Sequence, residues 1–331
     1  METRSAGIVG LGSYLPKKIL TNEDLEKMVE TNDEWIKTRT GISQRRIAAE
    51  DETTSDLAFH AAKAALKDAG ISAEELDLII VASASPDMLF PATSCMLQEK
   101  LGIRGKPSFD LEAACTGFIY GLATGAQFIG TGLYHNILVV GAETLSRIIN
   151  WKDRNTCVLF GDGAGAAVLQ PVAKDQGILS IHLGADGAGG DLLKVPAGGA
   201  SLPASLDTVH QGLHYMQMQG SEVFKFAVRV MGEAAEQSLI KAGLSKEDVA
   251  LVIPHQANVR IINAAMRRLH LPMEKAYLNL ERYGNMSSAS IPVALDEAYR
   301  EKRIKQGDVI VMVGFGAGLT WGSMVMKWCK Q

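Results

Sequence analysis

Three side chains in the sequence have the chemistry to act together on a carbonyl group. Cys115, in D-L-E-A-A-C-T-G-F, follows an apolar run and precedes small residues at 117–132 that predict a helix. A thiol at a strand-to-helix junction lies near the positive end of the helix dipole, which favours the nucleophilic thiolate. Its small neighbours would let a substrate approach the sulfur. A lone cysteine can also be a small buried apolar residue, and that alternative stays open.

His255 and Asn285 are the two candidate partners of that thiol. His255, in V-I-P-H-Q-A-N, comes just past the predicted strand 250–254, and Asn285 precedes the predicted helix 287–302. Ligand sites in open α/β sheets lie beyond the carboxyl ends of the strands, so His255 is placed to reach one. The alternatives are a polar histidine at a strand end and an asparagine that caps or turns the chain after Gly284.

Composition restricts the class of protein. The 331 residues carry a formal net charge of −4, without the basic bias expected of a nucleic-acid-binding protein. No apolar run approaches the roughly 18 residues of a membrane span, and the N-terminus lacks a signal-peptide pattern. The four cysteines form no C-x-x-C pair, which weighs against a disulfide scaffold or a zinc site. We therefore predict a cytoplasmic globular protein without a bound metal.

Apolar β-branched runs alternate with helical patterns along the chain, which predicts an α/β fold. The predicted strands are 6–11, 77–84, 107–111, 136–141, 157–160, 164–169, 178–184, 250–254, 308–313 and 319–327. The predicted helices are 22–30, 54–69, 93–101, 115–131, 220–242, 258–270 and 287–302. The Gly-rich stretch 185–214 is interpreted as a mobile lid or as a plain connector.

An internal repeat indicates how these elements are organised. The segment A-G-I-S-A-E-E-L-D-L-I-I begins at Ala69, and A-G-L-S-K-E-D-V-A-L-V-I begins 173 residues later at Ala242. The strands that end in I-L-V-V-G at Gly141 and I-V-M-V-G at Gly314 are separated by the same 173 residues. One shared offset predicts two similar halves, 1–172 and 173–331. Equivalent strand ends would then meet in one cleft, with Cys115 from the first half and His255 and Asn285 from the second.

Two other enzyme classes have some of these features. Cysteine, histidine and asparagine also suggest a papain-like protease, but the C-G-[SA]-C-[WY] signature is absent and the repeat has no place there. Dinucleotide binding is weakly indicated, because neither Gly10-x-Gly12 nor the glycines at 314, 316 and 318 complete G-x-G-x-x-G.

Longer motifs resemble one family across nearly the whole chain, the β-ketoacyl-acyl-carrier-protein synthases III. The matching segments are T-N-D-E-W-I-x-x-R-T-G-I at 31–42, A-A-C-T-G-F at 113–118, H-Q-A-N-x-R-I at 255–261, Y-G-N-x-S-S-A-S-I-P at 283–292 and G-F-G-A-G-L-T-W-G at 314–322. The resemblance implies the thiolase fold, a five-layered αβαβα duplication, which agrees with the repeat. It also implies an acyltransferase of fatty-acid synthesis that needs no cofactor, since acyl-CoA is its substrate.

The resemblance implies roles for the three residues. Cys115 would take a short acyl group from CoA, and His255 and Asn285 would donate hydrogen bonds to the enolate formed when a malonyl thioester on acyl carrier protein decarboxylates. Backbone N–H groups of Cys115 and Ala317 would stabilise the tetrahedral oxyanion. Many relatives have glycine where Ala317 stands, and alanine keeps the N–H donor but reduces the conformational freedom of the loop.

Further contacts are implied only by the resemblance. Trp35 and Arg154 would sandwich the CoA adenine, Arg39 would hold the nucleotide, and the pantetheine channel would be lined by Gly220, Ala257 and Asn258. Acidic carrier protein would be steered by the basic residues Lys225, Arg260, Arg267 and Arg268. Phe90 would reach across the interface of a homodimer and close the partner's acyl pocket.

Three other functions remain open at this stage. A type III polyketide synthase also uses cysteine, histidine and asparagine but extends with free malonyl-CoA. A related acyltransferase would make an ester, an amide or a quinolone precursor. A non-catalytic binding protein of the same fold is the third, although the intact Cys115, His255 and Asn285 argue against it.

Overall fold

The computed structural model describes residues 4–330 as alternating strands and helices. The strands are β1 (Ser5–Tyr14), β2 (Lys18–Thr21), β3 (Gln44–Ile47), β4 (Leu78–Ala82), β5 (Ser108–Leu111), β6 (Ile137–Glu143), β7 (Gly163–Val172), β8 (Gly177–Ala185), β9 (Leu193–Lys194), β10 (Gln217–Met218), β11 (Val249–Pro254), β12 (Val309–Gly316) and β13 (Thr320–Lys327). The helices are α1 (Asn22–Glu26), α2 (Asp33–Thr40), α3 (Thr54–Ala69), α4 (Thr93–Lys100), α5 (Gly117–Gly130), α6 (Arg154–Cys157), α7 (Leu206–His210), α8 (Gly220–Ala242), α9 (Val259–Arg268), α10 (Leu280–Tyr283) and α11 (Ser290–Arg300). The predicted α/β character is confirmed.

Two mixed sheets share one topology. The first has the strand order β1-β7-β6-β4-β5, and the second has the order β8-β13-β12-β11. In the first sheet β4 is parallel to β6, and β7 is antiparallel to both β6 and β1. In the second sheet β11 is parallel to β12, and β13 is antiparallel to both β12 and β8. Each strand of the second sheet therefore has a counterpart in the first.

Helices separate and cover the two sheets. Helix α3 packs on the outer face of the first sheet, against β1, β7 and β6, and α8 packs on the outer face of the second, against β13, β8 and β12. Helices α5 and α11 each contact strands of both sheets and form the layer between them. The succession is helix, sheet, helix, sheet, helix, which is the five-layered arrangement that the sequence predicts.

Alternation along the central strands creates these layers. In β4, Leu78 and Ile80 belong to the core around α5 and α11, whereas Ile79 belongs to the core under α3. In β12, Ile310 likewise faces the central layer and Val311 faces α8. Successive side chains point to opposite faces of a strand, so a strand buried on both faces is a continuous apolar run. Each fully buried side chain of this kind contributes about 1.5–3 kcal/mol to folding.

The repeat appears again in the local geometry. Helix α3 ends at left-handed Gly70, and Ser72 then caps a short 3₁₀ turn that leads into β4. Helix α8 ends at left-handed Gly243, and Ser245 caps the same kind of turn before β11. Both pairs are separated by the 173 residues found in the sequence. The duplication thus extends to helix stops and caps, while the exact boundary between halves, at residue 172, remains a prediction.

Several predicted elements differ from the structure. The predicted strand 157–160 is wrong, since Cys157 ends α6 and Phe160 forms only an isolated bridge with Asn285. The predicted helix 22–30 stops at Glu26. The small sheet of β2 and β3, helices α2 and α10 and the short elements β9, α7 and β10 were not predicted.

The stretch 185–214 has structure of its own. Strand β9 pairs with β10, and Asp186 exchanges two backbone hydrogen bonds of 2.8 Å with Leu319. The Met216 N–H donates to the Ile148 carbonyl at 2.8 Å. The start of the stretch is thus fastened to the second half of the chain, and the residue just past its end is fastened to the first half. Whether it opens as a lid remains a prediction.

Glycines allow the layers to approach closely. A Cβ atom on Gly10 or Gly12 would collide with the backbone of Ala65 in α3, which gives the Gly10-x-Gly12 pattern a packing role. A Cβ atom on Gly141 would collide with the carbonyl oxygen of Ser288, which belongs to the other half of the chain. Its repeat counterpart, Gly314, lies with its Cβ position 3.8 Å from the Cys115 carbonyl oxygen. The two halves therefore contact each other reciprocally at equivalent positions.

Replacing Gly141 tests this close approach. We expect Gly141→Ala to lower the free energy of unfolding by about 2 kcal/mol, because the added methyl group meets backbone that cannot move aside cheaply. The matched control is Gly187→Ala, where nothing lies within 4 Å of the added Cβ, and we expect a change within about 0.5 kcal/mol. Urea unfolding of both variants provides the measurement. Equal stabilities would show that the interface tolerates a side chain at Gly141.

Candidate active site

Cys115 lies at the wall of a cavity between the two halves. It stands in the 3₁₀ turn Ala114–Thr116, which leads directly into α5, and is only 7% exposed. The cavity has a volume of about 210 Å³. Its lining residues come from both halves and are Ala84, Glu112, Ala114, Cys115, Leu145, Ile148, Phe160, Leu193, Lys194, Val195, Met216, Ser287 and Ala317. The sulfur is thus shielded from bulk water but reachable through a mostly apolar cavity.

Two opposing influences act on the ionisation of this thiol. Its position before α5 favours the thiolate, as the sequence predicts. Burial is the stronger influence and raises the pKa of Cys115 to about 12, and the charges of Glu143 and Glu112 also raise this pKa, whereas the nearby polar side chain of Ser287 lowers it. The thiol is therefore protonated at neutral pH, and attack on a thioester must be coupled to loss of that proton.

His255 is buried and neutral. It follows β11, and its backbone N–H donates to the Val313 carbonyl at 2.7 Å. Its ring packs edge-on against Phe315, with 5.8 Å between the ring centroids. Neither ring nitrogen has a hydrogen-bond partner within the described chain, 4–330. Burial lowers the pKa of His255 to about 3, so that the ring carries one N–H and no charge at neutral pH. An unpartnered buried polar atom is costly, so the ring of His255 is a candidate to hydrogen-bond a ligand or an ordered water.

Asn285 is held by both its backbone and its side chain. Its backbone N–H donates to the Leu159 carbonyl at 2.8 Å, and its backbone carbonyl accepts from the Gly161 N–H at 3.0 Å. The Oδ1 atom accepts from the Ser287 N–H at 2.8 Å. Because a backbone N–H can only donate, the acceptor end of the amide is identified. The NH₂ end is left to donate elsewhere.

The three candidate residues converge on one junction. A Cβ atom built on Gly314 would lie 3.3 Å from the His255 Cβ and 3.8 Å from the Cys115 carbonyl oxygen. Asn285 is joined to the cavity through Ser287, whose backbone N–H donates to Asn285 Oδ1 and which lines the cavity together with Cys115. His255 and Asn285 do not line the cavity itself. The structure thus brings the three residues together, while their catalytic roles stay predictions.

The loop between β12 and β13 also lies against Cys115. A Cβ atom on Gly316 would come within 2.7 Å of the Cys115 nitrogen, so only glycine fits there. Ala317 lines the cavity and is not among the non-glycine residues with positive φ. Glycine is therefore not required at position 317, and alanine costs no backbone strain there.

The predicted CoA-binding residues are only partly assembled. The Trp35 ring has two cationic neighbours, with the Arg39 guanidinium 4.4 Å and the Arg154 guanidinium 5.2 Å from its centroid. Asn258 caps α9 and donates from Nδ2 to the Arg39 carbonyl at 2.9 Å, which fastens α9 to α2. Ala257 is buried beside this cap, while Gly220 is exposed at the start of α8.

The predicted carrier-protein residues are exposed but are not all free positive charges. Lys225 pairs with Glu222 at 2.8 Å, and Arg268 pairs with Glu233 at 2.8 Å. Two residues from α9, Arg260 and Arg267, make no ion pair in the described structure, and Arg260 stacks over Phe224 with 5.1 Å to the ring centroid. The net positive charge of this surface is therefore smaller than the sequence suggests.

Phe90 is 84% exposed, and the neighbouring Leu89 is 79% exposed. A large apolar pair in water is unusual for a surface that stays uncovered. This exposure is compatible with the predicted contact across a dimer.

Sequence reasoning missed three polar residues beside the thiol. Ser287 and Ser288 stand in the matched motif Y-G-N-x-S-S-A-S-I-P, but nothing in the pattern singles out their hydroxyl groups. Glu143 ends β6 and is completely buried. The sequence did offer a signal for Glu143, because an acidic residue stands there at the carboxyl end of a strand that is buried on both faces.

Residues 4–330 contain neither a metal-binding cluster nor a membrane-spanning helix. No group of histidine, cysteine and acidic side chains in this range could hold a metal ion. No helix in the same range has the length and hydropathy needed to cross a membrane.

Comparisons with known proteins agree with the motif resemblance. The model of 3-oxoacyl-[acyl-carrier-protein] synthase III matches residues 109–187, and the model of that family's C-terminal part matches residues 239–328. A β-ketoacyl-[acyl-carrier-protein] synthase III of Desulfitobacterium hafniense is 61% identical over 99% of this chain and 99% of its own length.

Solved structures give the same result at the level of the fold. The 3-oxoacyl-[acyl-carrier-protein] synthase III of Aquifex aeolicus superposes with a TM-score of 0.90 at 49% identity, covering 98% of this chain and 100% of its own. The priming β-ketosynthase of the R1128 polyketide pathway superposes with a TM-score of 0.91 at 35% identity, covering 99% of this chain and 97% of its own. The predicted thiolase fold is thereby confirmed, and the chain belongs to the 3-oxoacyl-[acyl-carrier-protein] synthase III family of condensing acyltransferases.

Proposed function

We propose that this enzyme starts fatty-acid synthesis by joining a short acyl group to a malonyl unit. Cys115 takes the acyl group from acyl-CoA and releases CoA. Malonyl-acyl-carrier protein then loses CO₂, and the resulting carbanion attacks the acyl-cysteine to give a 3-oxoacyl-acyl-carrier protein. The observation that carries this proposal is a buried thiol at a helix start that lines a cavity between the two halves, with the unpartnered ring of His255 at the same junction. A cytoplasmic location is part of this proposal.

CoA recognition is assigned to the cluster of Trp35, Arg39 and Arg154. An aromatic face next to two guanidinium groups suits an adenine ring with phosphates close by. Since both arginines lie over the same indole, adenine would take the place of one of them against the ring. The exposed Gly220 and the buried Ala257 and Asn258 are assigned to the pantetheine channel, where small side chains leave room for a slender substrate.

His255 and Asn285 are assigned to the condensation step. Decarboxylation places negative charge on the thioester oxygen, and donors that are already desolvated and oriented stabilise such charge strongly. The neutral His255 ring offers one N–H, and Asn285 offers its NH₂ because its Oδ1 is already engaged. Backbone N–H groups of Cys115 and Ala317 are assigned to the second oxyanion, on the acyl-cysteine.

A homodimer is part of the proposal. The exposed Leu89 and Phe90 precede α4, and α4 begins against β5, the edge strand of the first sheet, because the N–H groups of Thr93 and Ser94 donate to Asp110. An open strand edge next to exposed apolar side chains suits pairing with a second copy of the chain. Phe90 would then limit acyl length in the partner's cavity. Of the predicted carrier-protein residues, Arg260 and Arg267 are the best candidates because neither pairs with an acidic side chain among residues 4–330.

A priming reaction in polyketide synthesis is the second candidate function. The 35% identity with the R1128 priming β-ketosynthase over nearly the whole chain favours it. Both functions use the same acylation of Cys115, so they differ only in the primer and in the carrier protein. A screen of primers with purified malonyl carrier proteins, in which the condensed product is identified, separates them.

Acylation of Cys115 is the first expected outcome. Mixing the protein with acetyl-CoA or isobutyryl-CoA should add one acyl group per chain, measured by intact mass. Cys115→Ala should abolish the gain. Cys95→Ala should keep it, because the exposed Cys95 is the thiol most open to non-specific labelling. Absence of any gain with all short acyl-CoAs would contradict the proposed function.

Loss of a condensation donor should spare the first half-reaction. We expect His255→Ala and Asn285→Ala to lower the condensation rate about 10²–10³-fold, because each removes one donor from the developing enolate. Acylation by acyl-CoA should persist in both variants and serves as the internal control. Rates measured with pre-acylated enzyme and malonyl carrier protein give the result. Equal losses of rate in both half-reactions would mean that these residues support the fold and do not act specifically in condensation.

The pH dependence of condensation tests the state of His255. Because burial lowers the pKa of His255 to about 3, the ring stays neutral above that pH and its donor is unchanged from pH 5.5 to 8. The rate of malonyl decarboxylation by pre-acylated enzyme should therefore show no inflection near 6.5. An activity that falls with a midpoint near 6.5, with the fold intact, would mean that His255 titrates as an exposed histidine does.

A further inference from the structure

The residue after His255 carries a completely buried amide. Gln256 is 0% exposed, and its Nε2 donates to the Pro254 carbonyl at 2.8 Å. Pro254 and Gln256 flank His255 in the chain, so this bond closes a ring of backbone that contains the histidine. Proline also fixes its own backbone φ at about −65°, which restricts the chain just before His255. The histidine is therefore held through both of its neighbours in the sequence.

The same amide fastens this turn to the segment that leads to Asn285. Nε2 donates a second hydrogen bond to the Tyr277 carbonyl at 3.0 Å, and Oε1 accepts from the N–H groups of Asn279 at 3.0 Å and Leu280 at 3.2 Å. Backbone N–H groups only donate and backbone carbonyls only accept, so both ends of the amide are identified. These four bonds, the Gln256 clamp, use every donor and acceptor position that the amide has.

The segment on the far side of the Gln256 clamp is itself fixed. The Tyr277 N–H donates to the Val252 carbonyl at 3.0 Å, which holds the segment along β11, the edge strand of the second sheet. The Asn279 Nδ2 donates to Glu297 in α11 at 2.8 Å, and the Tyr283 hydroxyl donates to the other oxygen of the same carboxyl group at 2.6 Å. The clamp is therefore anchored to the helix layer between the two sheets.

His255 depends on its backbone for the orientation of its ring. Neither ring nitrogen has a hydrogen-bond partner within the described part of the chain, and the ring packs edge-on against Phe315. Asn285, by contrast, is held by hydrogen bonds of its own side chain and backbone. A hydrogen bond weakens steeply when it is misaligned, so a donor acts strongly only if it is oriented beforehand. The His255 backbone takes its position from the bond to Val313 and from the Gln256 clamp.

The cost of burying an amide points to a role in orientation. A buried amide is tolerated only when its hydrogen bonds are made, whereas an apolar side chain fills a core without that requirement. A polar group whose bonds are all made rigidifies its surroundings. The groups that Gln256 joins belong to the two chain segments that lead to His255 and to Asn285. A rigid link at this place fixes one donor relative to the other.

We propose that Gln256 is a positioning residue for condensation, a proposal that rests on the function proposed above. The Gln256 clamp sets the place of the neutral His255 ring relative to Asn285, so that both donors reach the same enolate oxygen. Gln256 makes and breaks no bond of the substrate. Acylation of Cys115 does not use the two donors and is therefore independent of the clamp.

Gln256→Ala removes all four bonds of the clamp. We expect the condensation rate to fall about 10²-fold, because a displacement of about 1 Å near the reacting atoms can cost that much. Acylation by acetyl-CoA, followed by rapid-quench intact mass, should stay within about twofold of wild type. Gln256→Glu keeps an oxygen for the two N–H groups and should lose only about tenfold in condensation. Pre-acylated enzyme and malonyl carrier protein give the condensation rates.

The control for these variants is Ser180→Ala. Ser180 is buried in β8, outside the cavity, and its hydroxyl donates to the Ser238 carbonyl of α8 at 2.6 Å. The control thus also loses a buried bond from a side chain to the backbone, and it should keep wild-type rates in both half-reactions. Equal losses in both half-reactions of Gln256→Ala would mean that Gln256 supports only the fold, and they would overturn the positioning role.

A double-mutant cycle tests whether Gln256 acts through the histidine. In a His255→Ala background, the further change Gln256→Ala should lower condensation by no more than about twofold, because the ring that the clamp positions is gone. Independent effects would multiply and give a further loss of about 10²-fold. That result would also overturn the proposal.

Asn279→Ala loosens the clamp without changing Gln256. The variant keeps the Asn279 N–H that donates to Gln256 but loses the bond to Glu297. Condensation should fall about threefold to tenfold while acylation is unchanged. Should Gln256→Ala fail to fold, this variant decides the matter, and an unchanged condensation rate would overturn the positioning role. A wild-type protein that no acyl-CoA acylates would instead contradict the proposed function itself.

Discussion

Shielding the Cys115 sulfur, the proposed nucleophile, from water is the constraint on which the rest of this structure depends. Water would hydrolyse an acyl-cysteine and quench a carbanion, so the sulfur must face an apolar cavity. The same shielding raises the pKa of the Cys115 thiol to about 12 and keeps the His255 ring neutral. A protonated thiol needs an outlet for its proton, and a neutral imidazole can serve as a donor over a wide pH range. Burial therefore makes deprotonation of the thiol harder, and it makes hydrogen-bond donation by the imidazole easier.

The duplicated fold provides that shielding by placing the site where two similar halves meet. Each half contributes a strand with a glycine close to a 3₁₀ turn of the other half, Gly141 near Ser288 and Gly314 near Cys115. Ala114 and Ser287 hold the equivalent turns with the same left-handed backbone. One geometry is thus used twice, with a thiol in the first turn and a pair of hydroxyl groups in the second. The asymmetry of these side chains turns a structural repeat into a reaction site.

Sequence patterns predicted the long elements well and the short ones poorly. The bounds 54–69 and 220–242 match α3 and α8 because these helices have long apolar stripes and end at glycines that adopt left-handed backbone. The segment 157–160 was predicted wrongly because a short apolar run looks the same in a buried strand and at the end of a buried helix. Strands β2 and β3 were missed because four-residue strands with polar side chains carry almost no periodic signal.

The sequence alone determined the repeat, the α/β class and the family resemblance, because each is written in spacing or in local motifs. From the same spacing it predicted that Cys115, His255 and Asn285 meet in one cleft. The tertiary structure decided which groups surround the sulfur. It placed Ser287 on the wall of the same cavity as Cys115 and buried Glu143 completely. It also showed that position 317 does not require glycine, and it paired Lys225 and Arg268 with acidic neighbours. Burial and hydrogen bonding depend on atoms far apart along the chain. The contacts between such atoms form only once the two halves have packed together.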